Sequence, residues 1–180
     1  MAQAQERISS GYALAKDAGV TDIWFPPTAG RYTFKTAAGQ TEGRLLQVLC
    51  QESRGGAAPL HVHHDADESW YVLGGELTVF VGDERMHVGP GDFVLGPKGV
   101  PHTFLVTSER AEFLVSFAPA GTEGPSGMGL EGFFREIGIP VVPGERRPDP
   151  VPPDPEDFAR RAGQYAIEIV GPPPTLDSTG

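Results

Sequence analysis

Between residues 21 and 119 short apolar runs recur at close intervals, many of them set apart by glycine and proline turns. Ten apolar, β-branched or aromatic runs follow one another: Ile23–Phe25, Arg31–Lys35, Arg44–Gln51, Leu60–His63, Glu68–Leu73, Glu76–Val81, Arg85–Val88, Asp92–Leu95, His102–Val106 and Ala111–Ala118. Gly74-Gly75, Gly82-Asp83, Gly89-Pro90-Gly91 and Pro97-Lys98-Gly99 separate the later ones, and these are turn-forming pairs and triplets. Runs this short cannot hold ordinary helices but suit half-buried strands. Many short strands at such spacing predict an antiparallel sandwich or barrel.

The flanks read differently. Residues 1–20 predict a short lead-in, helical in part and ending at Gly19. In Gly129–Gly138 the apolar Leu130, Phe133, Phe134 and Ile137 recur at helical spacing, which predicts a short amphipathic helix. Pro140 to Pro155 holds seven prolines in 16 residues and should run extended over a surface. A second helix should begin at Asp154-Pro155-Glu156-Asp157, with an aspartate cap, proline at the first helical position and two acids at the positive end of the dipole. Gly163 should stop it, and Gly171–Gly180 should fray. With 180 residues and no internal repeat, one domain is expected: a barrel core over about 21–119 and a helical, proline-rich arm over 120–180.

Composition limits the partners. A net charge of −10 repels phosphate backbones and anionic membrane surfaces, so neither nucleic acid nor membrane is expected as a partner. No stretch approaches the roughly 20 apolar residues of a membrane span. Met1–Ser10 lacks the apolar run of a signal peptide, and a cytoplasmic location is expected. Cys50 is the single cysteine, so no internal disulfide can form. Alternation puts it on one face with Leu46 and Val48, as a small buried apolar group.

The chemistry concentrates in two gapped segments. In the first, Gly55 is followed after five residues by His61-Val62-His63, after four more by Glu68, and after six more by Gly75. Residues two apart on a strand share a face, so His61 and His63 present two imidazoles side by side. Unbroken alternation would bring residue 67 to that face, so His64-Asp65-Ala66-Asp67 reads as a turn that resets register and returns Glu68 to the site. In the second segment Gly91 precedes Pro97-Lys98-Gly99, and His102 opens the next strand. Three imidazoles and one carboxylate on adjacent strands form a donor set for one divalent Mn, Fe, Ni, Cu or Zn ion per chain, not for Ca or Mg.

The two segments resemble the paired signature motifs of the cupin superfamily, with 15 residues between Gly75 and Gly91. Val106 stands where that pattern often has asparagine, a position that is not a ligand. Trp70–Glu76, Gly89–Asp92, Phe117–Gly121, Gly132–Glu136 and Ala166–Pro173 extend the likeness to bacterial single-domain cupins similar to quercetin 2,3-dioxygenase. The resemblance implies an all-β double-stranded β-helix, or jelly-roll, barrel with short C-terminal helices, a bound metal and a homodimer. It implies a dioxygenase acting on a small flavonol-like, enolic or phenolic substrate, with Glu68 doubling as general base. A non-oxidative cyclase, isomerase or decarboxylase, or a small-molecule-binding protein without turnover, fits the same shell.

Several residues have plainer roles open to them. His61, His63 and His102 could be structural core histidines, and the metal could stiffen the barrel without any turnover. His64 should face solvent, as should His87, and Lys35 and Lys98 should be solvated. Among the aromatics, Trp70 and Phe104 lie near the ligands and are the expected walls of an apolar substrate pocket.

Overall fold

The computed structural model describes residues 10–121 and 124–179. Its first ten strands match the ten sequence runs to within two residues: β1 (Thr21–Phe25), β2 (Gly30–Thr36), β3 (Leu46–Ser53), β4 (Leu60–His63), β5 (Asp67–Gly74), β6 (Leu77–Val81), β7 (Glu84–Val88), β8 (Phe93–Gly96), β9 (His102–Val106) and β10 (Arg110–Ala118). Beyond them lie α1 (Leu130–Ile137), β11 (Ile139–Pro140), α2 (Pro155–Gly163) and β12 (Ile167–Gly171). All strand pairs are antiparallel. One sheet has the order β11-β1-β2-β3-β10-β5-β8 and the other β12-β4-β9-β6-β7. This is the all-β jelly-roll barrel expected from the sequence.

The inward faces of the two sheets share one core. β10 shows the pattern best: Ala111, Phe113, Val115 and Phe117 are buried, while the residues between them are less so. Each of the larger three contributes about 1.5–3 kcal/mol of burial. Turn glycines fix where strands reverse. Gly75 has φ +77°, and a Cβ there would stand 2.2 Å from the Arg110 carbonyl oxygen, so only glycine fits.

The C-terminal arm is fastened to the barrel by specific contacts. Glu131 is buried, takes Arg135 Nε at 2.7 Å and accepts from the Gly39 amide at 3.3 Å, while Arg135 Nη2 donates to Thr21 Oγ1 at 2.8 Å. Asp154 caps α2 by accepting from the Asp157 amide at 2.9 Å, as its sequence predicts. The proline-rich stretch lies along the barrel: Val151 N donates to Pro26 O at 2.9 Å, and Arg147 reaches Ser53 Oγ and Thr28 O. Among the described residues no helix is long and apolar enough to cross a membrane.

Three expectations need correcting. The described part of the lead-in, residues 10–20, contains no helix, and residues 1–9 lie outside the described residues. Instead it runs beside β2, held by Tyr12 Oη to Lys35 O at 2.7 Å and Val20 N to Phe34 O at 2.8 Å. Lys35 is accordingly not simply solvated, since its Nζ donates to the Lys16 and Ala18 carbonyls. Nor is the C-terminal stretch frayed at its start. Gly171 closes β12, the Leu60 amide reaches Pro172 O at 3.4 Å, and Leu176–Thr179 forms a 3-10 turn.

Candidate metal centre

β4 and β9 are neighbours, and His61 lies opposite His102 in their register. His63 sits two residues along β4, so three imidazoles crowd one patch of the smaller sheet, with ring centroids 4.6–5.3 Å apart. Glu68 arrives from elsewhere. The bend at His64-Asp65 carries the chain into the other sheet, where β5 pairs with β8 and β10 and Glu68 lies opposite Gly96 and Phe117. The register reset inferred from the sequence is therefore a crossing between sheets, and Glu68 is not on a strand adjacent to the histidines. All four side chains are buried, and their donor atoms lie within 4.8 Å of one another.

Glu68 Oε2 stands 3.1 Å from His63 Nε2, 3.1 Å from His102 Nε2 and 3.4 Å from His61 Nε2. The far sides of two rings settle their tautomers. His61 Nδ1 lies 2.7 Å from Pro59 O and His102 Nδ1 lies 2.8 Å from Val100 O. A carbonyl oxygen can only accept, so both Nδ1 atoms carry the proton, and in the neutral rings Nε2 presents a lone pair. Lone pairs thus converge on a carboxylate oxygen that also only accepts. A cation at their focus relieves that repulsion, and the backbone carbonyls are the partners that orient metal-bound imidazoles. The donor set fits a divalent transition ion.

Burial and the contacts among the four side chains act differently on each group. Burial lowers the His63 pKa to about 4, so its ring is neutral at ordinary pH and available as a ligand. For His102, burial pulls the pKa down, but the contact with Glu68 outweighs it and the value is raised. Burial alone would raise the Glu68 carboxyl, yet the three histidines hold it well below the usual range.

His61, His63 and Glu68 border an apolar, partly open cavity of about 70 Å³. Phe104, Phe117, Val48 and Val115 form part of its wall, and the arm closes it with Phe133, Phe158, Ile167 and Ile169. β12 does this directly, because Ile167 pairs with His63 and Ile169 with His61. Phe104 borders the cavity. Trp70 is not a wall residue: it is wholly buried behind His102, ring centroids 5.6 Å apart, and packs close to Gly96. Alternation gave its inward face correctly, but not its depth. Cys50 lines the cavity rather than merely filling the core, and burial pushes its thiol well up, so it stays protonated. His64 and His87 are exposed; His64 pairs with Glu168 at 2.9 Å and His87 with Thr78 at 2.9 Å. Lys98 is exposed as well, its amide bonded to Asp67.

Ile167 and Ile169 on β12 were not expected at the cavity. The alternation Ile167-Glu168-Ile169 was a usable strand signal, but nothing local told which strand it would join.

Parts of the chain match known proteins. A family described as the cupin domain matches residues 49–117, a span that includes all four donors. Quercetin 2,3-dioxygenase of Bacillus subtilis is 38% identical over 86 residues, which is 47% of this chain and 25% of that protein. An uncharacterized protein of Streptomyces coelicolor is 39% identical over 56 residues, 31% of this chain and 53% of that one. The matched segments therefore span about a quarter and about half of these two relatives. Among solved structures, KdgF from a Halomonas species has a TM-score of 0.46 at 21% identity, covering 50% of this chain and 78% of that one. The cupin domain of Cnp3 from Schizosaccharomyces pombe has a TM-score of 0.46 at 12% identity, covering 49% and 60%.

Proposed function

Because the chain carries a cupin domain across residues 49–117, we propose that it is a metal-dependent oxygenase acting on a small enolic or phenolic compound. One observation carries this reading: three imidazole nitrogens and one carboxylate converge within 4.8 Å beside an apolar cavity. The partial likeness to quercetin 2,3-dioxygenase supports the choice of an oxygenase. His61, His63, Glu68 and His102 would hold the ion. When bound, such an ion supplies Lewis acidity toward a substrate hydroxyl and one-electron chemistry toward oxygen.

The protein's own groups do the rest. Glu68 Oε2 takes up the hydroxyl proton as the substrate binds, acting as general base from a position fixed by three histidines. Phe104, Phe117 and the β12 isoleucines keep water away from a reactive intermediate. Pocket size selects the substrate. At about 70 Å³ the cavity is far smaller than a common ligand pocket of roughly 300–1,000 Å³, so it suits a single small ring. A flavonol would require the arm to move.

Elemental analysis and oxygen uptake test the reading together. Purified protein should hold about one first-row metal per chain, as one four-donor set requires. A His61→Ala, His63→Ala double variant should lose most of it. Glu68→Gln should retain metal but lose about a hundredfold or more in turnover, the usual weight of a general base. Oxygen should be consumed in proportion to substrate. Product formed at an unchanged rate without oxygen would move the assignment to a cyclase, isomerase or decarboxylase on the same donor set.

A further inference from the structure

Besides Glu68 and Glu131, one further glutamate is buried among the described residues. Glu52 is on the inward face of β3, two residues beyond Cys50 and 3% exposed. Its carboxyl fills the space that side chains at Gly30 and Gly56 would need, since a Cβ on either would fall within 2.8 Å of it. Thr28 Oγ1 donates to Oε1 at 2.6 Å, while Oε2 is buried without a hydrogen-bond partner. Tyr32 pairs with Cys50 in the β2–β3 register, which makes it the diagonal neighbour of Glu52 on the inner face, and its hydroxyl interacts with that carboxyl.

These two residues border different spaces. Tyr32 lines the apolar cavity beside the metal donors. Glu52 lines a separate, open groove on the outside of the barrel, beside Arg147, Arg110, Gln51 and Ser53. Apart from the metal donors, Tyr32 and Cys50 are the only cavity-lining residues with a polar side-chain group, and the rest of the wall is apolar or proline.

We propose that Tyr32 and Glu52 carry protons between the buried metal cavity and the outer groove. The inference rests on the function proposed above, because it is there that a substrate hydroxyl proton is released into a dry space. In each transfer the proton that Glu68 has taken from the substrate passes to the Tyr32 oxygen, while the O–H proton of Tyr32 passes to Glu52 Oε2, so Glu68 and Tyr32 return to their starting state. Glu52 then loses one proton to groove water, so one proton crosses and Glu52 returns to its starting state as well. The groups facing Glu52 suit this work: Thr28 beside β2, Tyr32 from β2, Cys50 from β3 and Arg147 from the proline-rich arm. Burial raises Glu52 to about 7 against the opposing pull of Thr28, Tyr32 and Arg147, so both of its forms exist near neutrality.

Cobalt-loaded protein and maltol, a small planar ring with adjacent hydroxyl and carbonyl, provide the test. In a stopped-flow experiment the cobalt absorption bands report maltol binding, and a pH indicator reports the released proton. In the natural protein the two signals should rise together. In Glu52→Gln and in Tyr32→Phe, maltol should still bind, but proton release should lag by about a hundredfold, the usual weight of a positioned acid or base. Added imidazole, a small mobile base, should restore it, which a merely structural defect would not allow. Release in step with binding in both variants overturns the relay alone. If one variant fails to fold, the other decides. Failure of the natural protein to bind maltol through cobalt would instead remove the proposed function, and the relay with it.

Discussion

Glu52 and Glu68 are both buried, inward-facing carboxyls, yet their neighbours drive them in opposite directions. Glu68 is surrounded by three histidines and is held well below the ordinary range, although burial opposes this. Glu52 has Thr28, Tyr32, Arg147 and the Ser53 backbone to offset its burial, and these are too weak to keep it from rising to about 7. The folded chain therefore binds a proton at Glu52 that the unfolded chain has already lost between pH 4.5 and about 7. By linkage, that contribution to stability is complete below 4.5 and is lost as pH rises to 7. At about 1.4 kcal/mol per pH unit, the loss over the window is about 3 kcal/mol. Glu52→Gln keeps the shape and removes the titration, so its stability relative to the natural protein should rise by that amount across the window. Urea unfolding at a series of pH values measures it; parallel curves for the two proteins would contradict the raised carboxyl.

At the scale of elements, the arm is the part whose role is hardest to infer from sequence and easiest to see in the structure. Phe133 on α1 meets Phe158 on α2 at 5.7 Å and Tyr165 at 5.9 Å, and Tyr165 Oη donates to Glu136 at 2.7 Å. This cluster presses β12 against β4, the strand of the paired histidines. Phe158→Ala should cost about 3–5 kcal/mol, the usual range for emptying a buried phenylalanine site. The effect should also be local: amide exchange should quicken in β12 and α2 while the β3–β10 pair keeps its protection. Uniform quickening would mean that the arm is part of the barrel's own cooperative unit. The ten barrel strands were legible because each is bounded by its own turn residues and alternates within a few residues. β12 was not placed, because its partner β4 lies about 100 residues earlier and the pairing leaves no local mark. Glu52 was overlooked for a smaller reason: the run was expected to stop at Gln51, whereas β3 continues to Ser53. The donors were readable at once, since the spacing of His61, His63, Glu68 and His102 is itself the signal. What spacing did not reveal is that Glu68 reaches the histidines from the opposite sheet.

That last point has a consequence for the whole molecule. With three donors on the smaller sheet and one on the larger, a bound ion ties the two sheets together across the core. An ion that binds the folded chain and not the unfolded one stabilises it by about 4 kcal/mol when present at a thousand times its dissociation constant. For a chain of 180 residues this corresponds to a rise in melting temperature of about 10 °C. Protein stripped with a chelator should melt lower by about that much, and zinc, nickel or manganese should each restore part of it according to affinity. The His61→Ala, His63→Ala variant should melt at the same temperature with and without added metal. His64→Ala, a change at an exposed neighbour on the same strand end, should keep the full shift. The comparison separates a metal at the four donors from metal held loosely by the acidic surface. Surface binding would raise the melting temperature of all three proteins alike, and that result would exclude the ion as a link between the sheets.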